Sequence, residues 1–148
     1  MNNETKLIGL ASDHGGYSMK EFVAGYLLSL GYAIKDLGCY NQESVNYPDF
    51  GHALASGIES GEFSLGFAFC GSANGISMSI NRHKGVRAAI CWKEEIAKLA
   101  REHNDANVCS IPGRFIDEVE CAKVVDAFLE TQYEGGRHQL RVEKIEIL

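Results

Sequence analysis

Long apolar runs are missing from this sequence: no stretch of its 148 residues approaches the roughly 18 uninterrupted apolar positions of a membrane span. The polar start MNNETK has neither the charged nor the apolar region of a secretory signal, so the expected compartment is the cytoplasm. An excess of positive charge is missing too. Lys and Arg number 14 against 20 Asp and Glu, a net charge of -6, which argues against recognising nucleic acid through overall charge and leaves any anion site to be local. Only two prolines are present, and no internal repeat, low-complexity tract or Pro/Ser-rich linker divides the chain. The five cysteines, Cys39, Cys70, Cys91, Cys109 and Cys121, include no C-x-x-C pair of the kind that marks zinc or dithiol chemistry. An odd, scattered set reads as reduced thiols, most of them small buried hydrophobes.

What is present is an alternation. At 45% apolar content, 148 residues suit one domain, residues 1–148, that buries roughly 70% of its unfolded surface. KLIGLAS reads as a first strand, and SMKEFVAGYLLSL as a helix with Met19, Phe22, Val23, Tyr26, Leu27 and Leu30 on one stripe and Gly31 as its stop. YAIKDL, SLGFAFC, GVRAAICW and NVCSI read as further strands. FGHALASGIES, ISMSINRHK, KEEIAKLAREH and DEVECAKVVDAFLET read as helices between or after them, and RHQLRVEKIEIL as a terminal helix. Strands alternating with helices predict a three-layer α/β/α sandwich with a Rossmann-like parallel sheet of about five strands and a C-terminal helical tail.

Ligands of such sheets bind beyond the carboxyl ends of the strands. That edge should hold Asp13, His14, Gly15 and Gly16 after the first strand, Tyr47 in the loop after the second, Cys70 to Gly75 after the third, and Pro112, Gly113 and Arg114 after the fifth. CGSANG between a strand and a helix is either an ordinary tight turn or a cradle whose backbone N–H groups face an anion; G-x-G-x-x-G is absent, which disfavours a dinucleotide. Cys70 could be a core thiol. As a phosphatase nucleophile it would need an arginine six positions on, and Ile76 stands there. As a general base it would gain from a helix N-terminus, which favours thiolate, but it would need partners. DHGG offers an acid and a histidine at the same edge, or a helix cap. His103 shares a helix face with Ile96, Leu99 and Ala100, as a core or capping histidine or as a functional one. Arg137 and Arg141, spaced i, i+4, form either a solvated face or a clamp for phosphate or carboxylate.

The segments DHGG, NYPD, CGSANGIS, HNDANV, PGR and QYEGGRHQLRV, in that order and spacing, resemble the ribose-5-phosphate isomerase B family, which also includes galactose-6-phosphate isomerases. The resemblance runs over nearly the whole chain. It implies aldose-ketose isomerisation of ribose 5-phosphate and ribulose 5-phosphate through an enediolate, with Cys70 as the base between C1 and C2. It further implies His103 as the group that assists ring opening, and Gly71, Ser72, Ala73, Asn74 and Gly75 as the enediolate loop. Asp13, His14 and Asn104 become sugar contacts, and Arg114, Arg137 and Arg141 phosphate contacts. No metal and no cofactor are implied. The partners are the sugar phosphate and a second copy of the chain, in a homodimer that could pair into a tetramer, with segment 133–148 of one subunit completing its neighbour's site; no nucleic acid or membrane is expected.

Two other readings compete: isomerisation of a six-carbon sugar phosphate, such as allose or galactose 6-phosphate, and a non-catalytic sugar-phosphate sensor. One departure bears on both. Ala73 stands where the family's loop has glycine, and a left-handed backbone there would cost alanine about 1 kcal/mol or more.

Overall fold

The structure, a computed structural model, describes residues 6–147; the start Met1 to Thr5 and the final Leu148 lie outside the described residues. Five strands form one parallel sheet: β1 (Leu7–Ser12), β2 (Ala33–Asp36), β3 (Leu65–Cys70), β4 (Ala88–Ile90) and β5 (Val108–Pro112), in the order β2-β1-β3-β5-β4. Helices α1 (Tyr17–Ser29), α2 (Tyr47–Ser60), α3 (Asn74–Ile80), α4 (Glu94–Asn104) and α5 (Glu118–Glu130) carry the chain back from one strand to the next or follow the last strand. A 3-10 turn (Gly136–His138) and a short helix α6 (Gln139–Glu143) make the tail.

Alternation along each strand sorts the core into two faces. Ile8, Leu10, Phe67, Phe69, Cys109 and Ile111 pack with Val23 and Leu27 of α1, Ala97 and Ala100 of α4, and Val124 and Phe128 of α5. The other face is lined by small residues. Ala11, Ala68, Cys70 and Val108 meet Leu54 and Ala55 of α2 and Ile76 and Ile80 of α3. Gly9 and Gly66 let α2 sit close, since a methyl group at either would lie 2.8 or 2.9 Å from Leu54 Cδ1. The period of two therefore points the Cys70 side chain at the α2/α3 layer.

Several boundaries differ from the periodic pattern. Helix α2 begins at Tyr47, not Phe50, because Pro48 is suited to a first helical turn, where no N–H is needed. Helix α3 starts at Asn74, inside the stretch expected to be loop. On α1, Leu30 lies past the helix end and is 47% exposed, while Lys20 is fully buried; Nζ stands 2.7 Å from Asp36 Oδ2 and 3.1 Å from Glu21 Oε1. On α4 the buried residues are Ala97 and Ala100, and Leu99 is exposed. The tail is a turn and a five-residue helix, shorter than the helix expected from Arg137 to Leu148.

Candidate active site

The strand order reverses at β1, which has β2 on one side and β3 on the other, so a crevice opens at the carboxyl ends of β1 and β3. Ser12 and Phe69 are register partners, and the next residues, Asp13 and Cys70, stand at its rim. Asp13 N donates to Phe69 O at 3.2 Å, and Asp13 Oδ1 accepts from Gly16 N at 3.0 Å. Asp13 thus shapes the turn that leads into α1, while the helix itself starts after Gly16 with no side-chain cap, so the capping reading does not hold. Gly16 has to be glycine here: an added methyl would lie 2.6 Å from Cys70 N and nearer still to the Phe69 carbonyl. His14 Nδ1 accepts from Val45 N at 3.2 Å, so in the neutral ring the proton sits on Nε2, available as a donor.

Cys70 is the last residue of β3 and 7% exposed. Its carbonyl accepts from Gly113 N at 2.9 Å, and the Gly71 carbonyl from Arg114 N at 3.1 Å, so the loops after β3 and β5 run side by side. A methyl group placed on Gly71 would meet Arg114 Nη1 at 3.2 Å. One on Gly15 would meet Arg114 Nη2 at 3.3 Å and Gly71 N at 3.2 Å. Arg114 therefore lies across both glycines. Ser72 Oγ accepts from Asn74 N at 3.2 Å, and the Ala73 carbonyl accepts from Ser77 Oγ at 2.6 Å, which shapes the loop. Ala73 adopts φ 67°, ψ -1°, the left-handed conformation, and is fully buried. Tyr47, at the start of α2, lays its ring against Gly75, where a methyl would come within 2.6 Å of it. Elsewhere, burial pushes the Cys121 thiol up to about 12 and the Cys109 thiol well above its ordinary value, so both stay protonated and structural.

His103, Asn104, Arg137 and Arg141 are not part of this crevice. Helix α4 returns from the carboxyl end of β4 to the amino edge of the sheet, where Asn107 N and Val108 N both donate to Arg87 O and Gly66 N donates to Asn107 O. From Leu65 at that edge to Cys70 is about 16 Å of strand at about 3.3 Å per residue. The tail is at the amino edge as well: Glu146 Oε1 accepts from Gly85 N at 2.8 Å, and Asn81, Arg87, Asn104 and Ile145 line a cleft of about 400 Å³ beside it. Arg137 and Arg141 are exposed there. His103 stacks on His138 with ring centroids 4.2 Å apart and planes inclined by 16°. One chain thus carries two groups of candidate side chains, at opposite edges of one sheet.

Among the described residues, His103, Glu134 and His138 are also the ones that come nearest to a metal donor set, with one ligand atom each within 4.8 Å of one another. Ligand atoms around a tetrahedral zinc, with bonds of about 2.0–2.1 Å, stand about 3.3 Å apart with lone pairs converging. Stacked rings present their faces to each other, so the geometry fits a ring platform better than a metal cage. His138 and Glu134 were not singled out by sequence; their signal was the i, i+4 spacing inside EGGRH. Lys20 had none beyond its place beside Met19.

A family model described as Ribose/Galactose Isomerase matches residues 8–145. The chain is 39% identical over 141 residues to a ribose-5-phosphate isomerase B of Escherichia coli, covering 95% of this chain and 94% of that one. Among solved structures it is similar to a ribose 5-phosphate isomerase of Thermotoga maritima, at 42% identity and a TM-score of 0.94 over 96% and 98% of the two chains. It is also similar to ribose-5-phosphate isomerase B of Mycoplasma genitalium, solved with bound ribulose-5-phosphate, at 38% identity and a TM-score of 0.90 over 96% and 95%.

Proposed function

The chain belongs to the ribose/galactose isomerase family, and from that premise we propose that it interconverts ribose 5-phosphate and ribulose 5-phosphate, with Cys70 as the base. In the open-chain aldose the Cys70 thiolate takes the proton from C2 and the electron pair moves through C1 to O1; the hydroxyl proton of O2 then passes to O1, C2–O2 becomes the carbonyl, and the proton held by Cys70 returns at C1. The enediolate formed between these steps needs donors placed before the charge appears. Backbone N–H groups of loop 71–75 supply them, and one such donor contributes about 3–4 kcal/mol in comparable sites. The carrying observation is the position of Cys70: it closes β3 at the switch point, shielded to 7% exposure, and leads directly into that loop. Asp13 and His14 face the sugar hydroxyls from the adjacent strand end, and Arg114 holds the phosphate together with Arg137 and Arg141.

Ribose 5-phosphate exists mostly as a closed ring, so a proton must reach the ring oxygen first. His103, whose imidazole can both give and take a proton, serves this step. Since His103, Asn104, Arg137 and Arg141 lie at the opposite sheet edge, they serve the crevice of a second copy, and segment 133–148 with α4's last turn completes its neighbour's site in a homodimer. The domain is the whole of 1–148, and five unpaired thiols suit a reducing compartment such as the cytoplasm.

The deciding experiment compares turnover on ribose 5-phosphate with that on allose and galactose 6-phosphates, using wild type and Cys70→Ala. Cys70→Ala is expected to lose at least about 100-fold in turnover. Solvent-deuterium exchange at C2 should go with it, while phosphate-analogue affinity stays near wild type. Retained exchange would remove Cys70 as the base, and faster turnover of a hexose phosphate would move the substrate to six carbons.

A further inference from the structure

We propose that His138, steadied by Glu134, is a positioning residue that holds the His103 imidazole at the height from which it opens the sugar ring; this rests on the reading of His103 as the ring-opening group. Three successive residues at the end of α4 tie down the segment that carries His138. Arg101 Nε donates to Thr131 O at 3.4 Å, the Glu102 carbonyl accepts from Glu134 N at 3.1 Å, and His103 lies over the His138 ring. The strap thus ends in an aromatic platform. Stacking grips a ring by its face and leaves both nitrogens at the rim, as a group that must both take and give a proton requires.

His138 itself is buried. It is 6% exposed, and its Nε2 is buried without a hydrogen-bond partner, although Glu134 Oε1 lies 3.4 Å away, close enough for attraction yet out of line. A buried polar ring is a poor choice for stability alone, since a leucine would fill the space without stranding a nitrogen. In ring opening the C1–O4 bond breaks, O4 gains a proton and O1 loses one; nothing is oxidised. A displacement of about 1 Å in such a step costs about 100-fold.

Substrate chemistry supplies a clean test. Ribulose 5-phosphate cannot close to a furanose, because the O5 that would attack its C2 carries the phosphate. Deuterium wash-in from solvent at C1 of ribulose 5-phosphate needs Cys70 and its loop but no ring opening. Conversion of ribose 5-phosphate needs both. His138→Ala is expected to slow the conversion at least about tenfold while wash-in stays within about twofold of wild type. His138→Phe keeps a flat ring in the same space and should restore conversion to within about threefold. Glu134→Gln should lower conversion less than His138→Ala and leave wash-in alone. Equal loss of both reactions in His138→Ala, or loss of neither, overturns the proposal. His103→Ala separates the two readings: if it fails to divide conversion from wash-in, the assignment of His103 falls; if it divides them and His138→Ala does not, only the platform falls.

Discussion

Ala73 occupies a conformation that glycine takes most easily, and the magnitudes show why alanine survives there. A left-handed φ costs a residue with a Cβ about 1–2 kcal/mol. Against that, the buried methyl contributes about 0.8 kcal/mol. The lower entropy of an unfolded chain with alanine in place of glycine adds about 0.4–1 kcal/mol. The terms nearly cancel. Ala73→Gly is therefore expected to change urea stability by less than about 1 kcal/mol and turnover by only a few-fold. Ala73→Val adds a branched side chain where neither φ nor space allows one, and should cost at least about 1–3 kcal/mol and most of the activity. The left-handed angle was foreseeable from the loop pattern; the burial that offsets it was not, because burial is set by which helix covers the residue.

At the scale of elements, Lys20 couples α1 to the end of β2. Its ammonium is fully buried against Asp36, whose other oxygen accepts from Gly38 N at 2.9 Å. Removing one partner of such a pair strands the other charge, so Asp36→Ala should lose about 3–5 kcal/mol in urea unfolding, lessened by the nearby Glu21. Lys20→Met, which leaves no buried charge, should lose clearly less. The reverse ranking would mean the pair does not hold the loop. Periodicity identified all five strands and the helices between them, because apolar spacing reports directly which face is covered. It could not give the sheet order, which depends on contacts distant in sequence, nor a buried lysine, whose burial is made tolerable by Glu21 and by an aspartate sixteen residues away. It also overextended the tail, because the pattern past Glu143 has no core to pack on: Ile145 and Ile147 are exposed.

For the whole molecule, the parallel sheet is decisive. It collects Asp13, His14, Cys70 and Arg114 at one edge, while α4 and the tail deliver His103, Asn104, Arg137 and Arg141 to the other. Residue types and spacing were enough to nominate both groups, but not to tell that they part company, since a sequence read in one dimension does not say that α4 ends at the far edge. A mixture of Cys70→Ala chains with Arg137→Ala/Arg141→Ala chains should regain activity that neither has alone, as each supplies the half-site the other lacks; no recovery in verified mixed dimers would mean that each chain builds its own site. In a two-fold pair every chain gives to one crevice and receives at the other. Under the proposed pairing, catalysis requires an encounter between chains before any substrate arrives, so on progressive dilution the rate per chain should fall away at the concentration where pairs come apart, making abundance itself a control on activity.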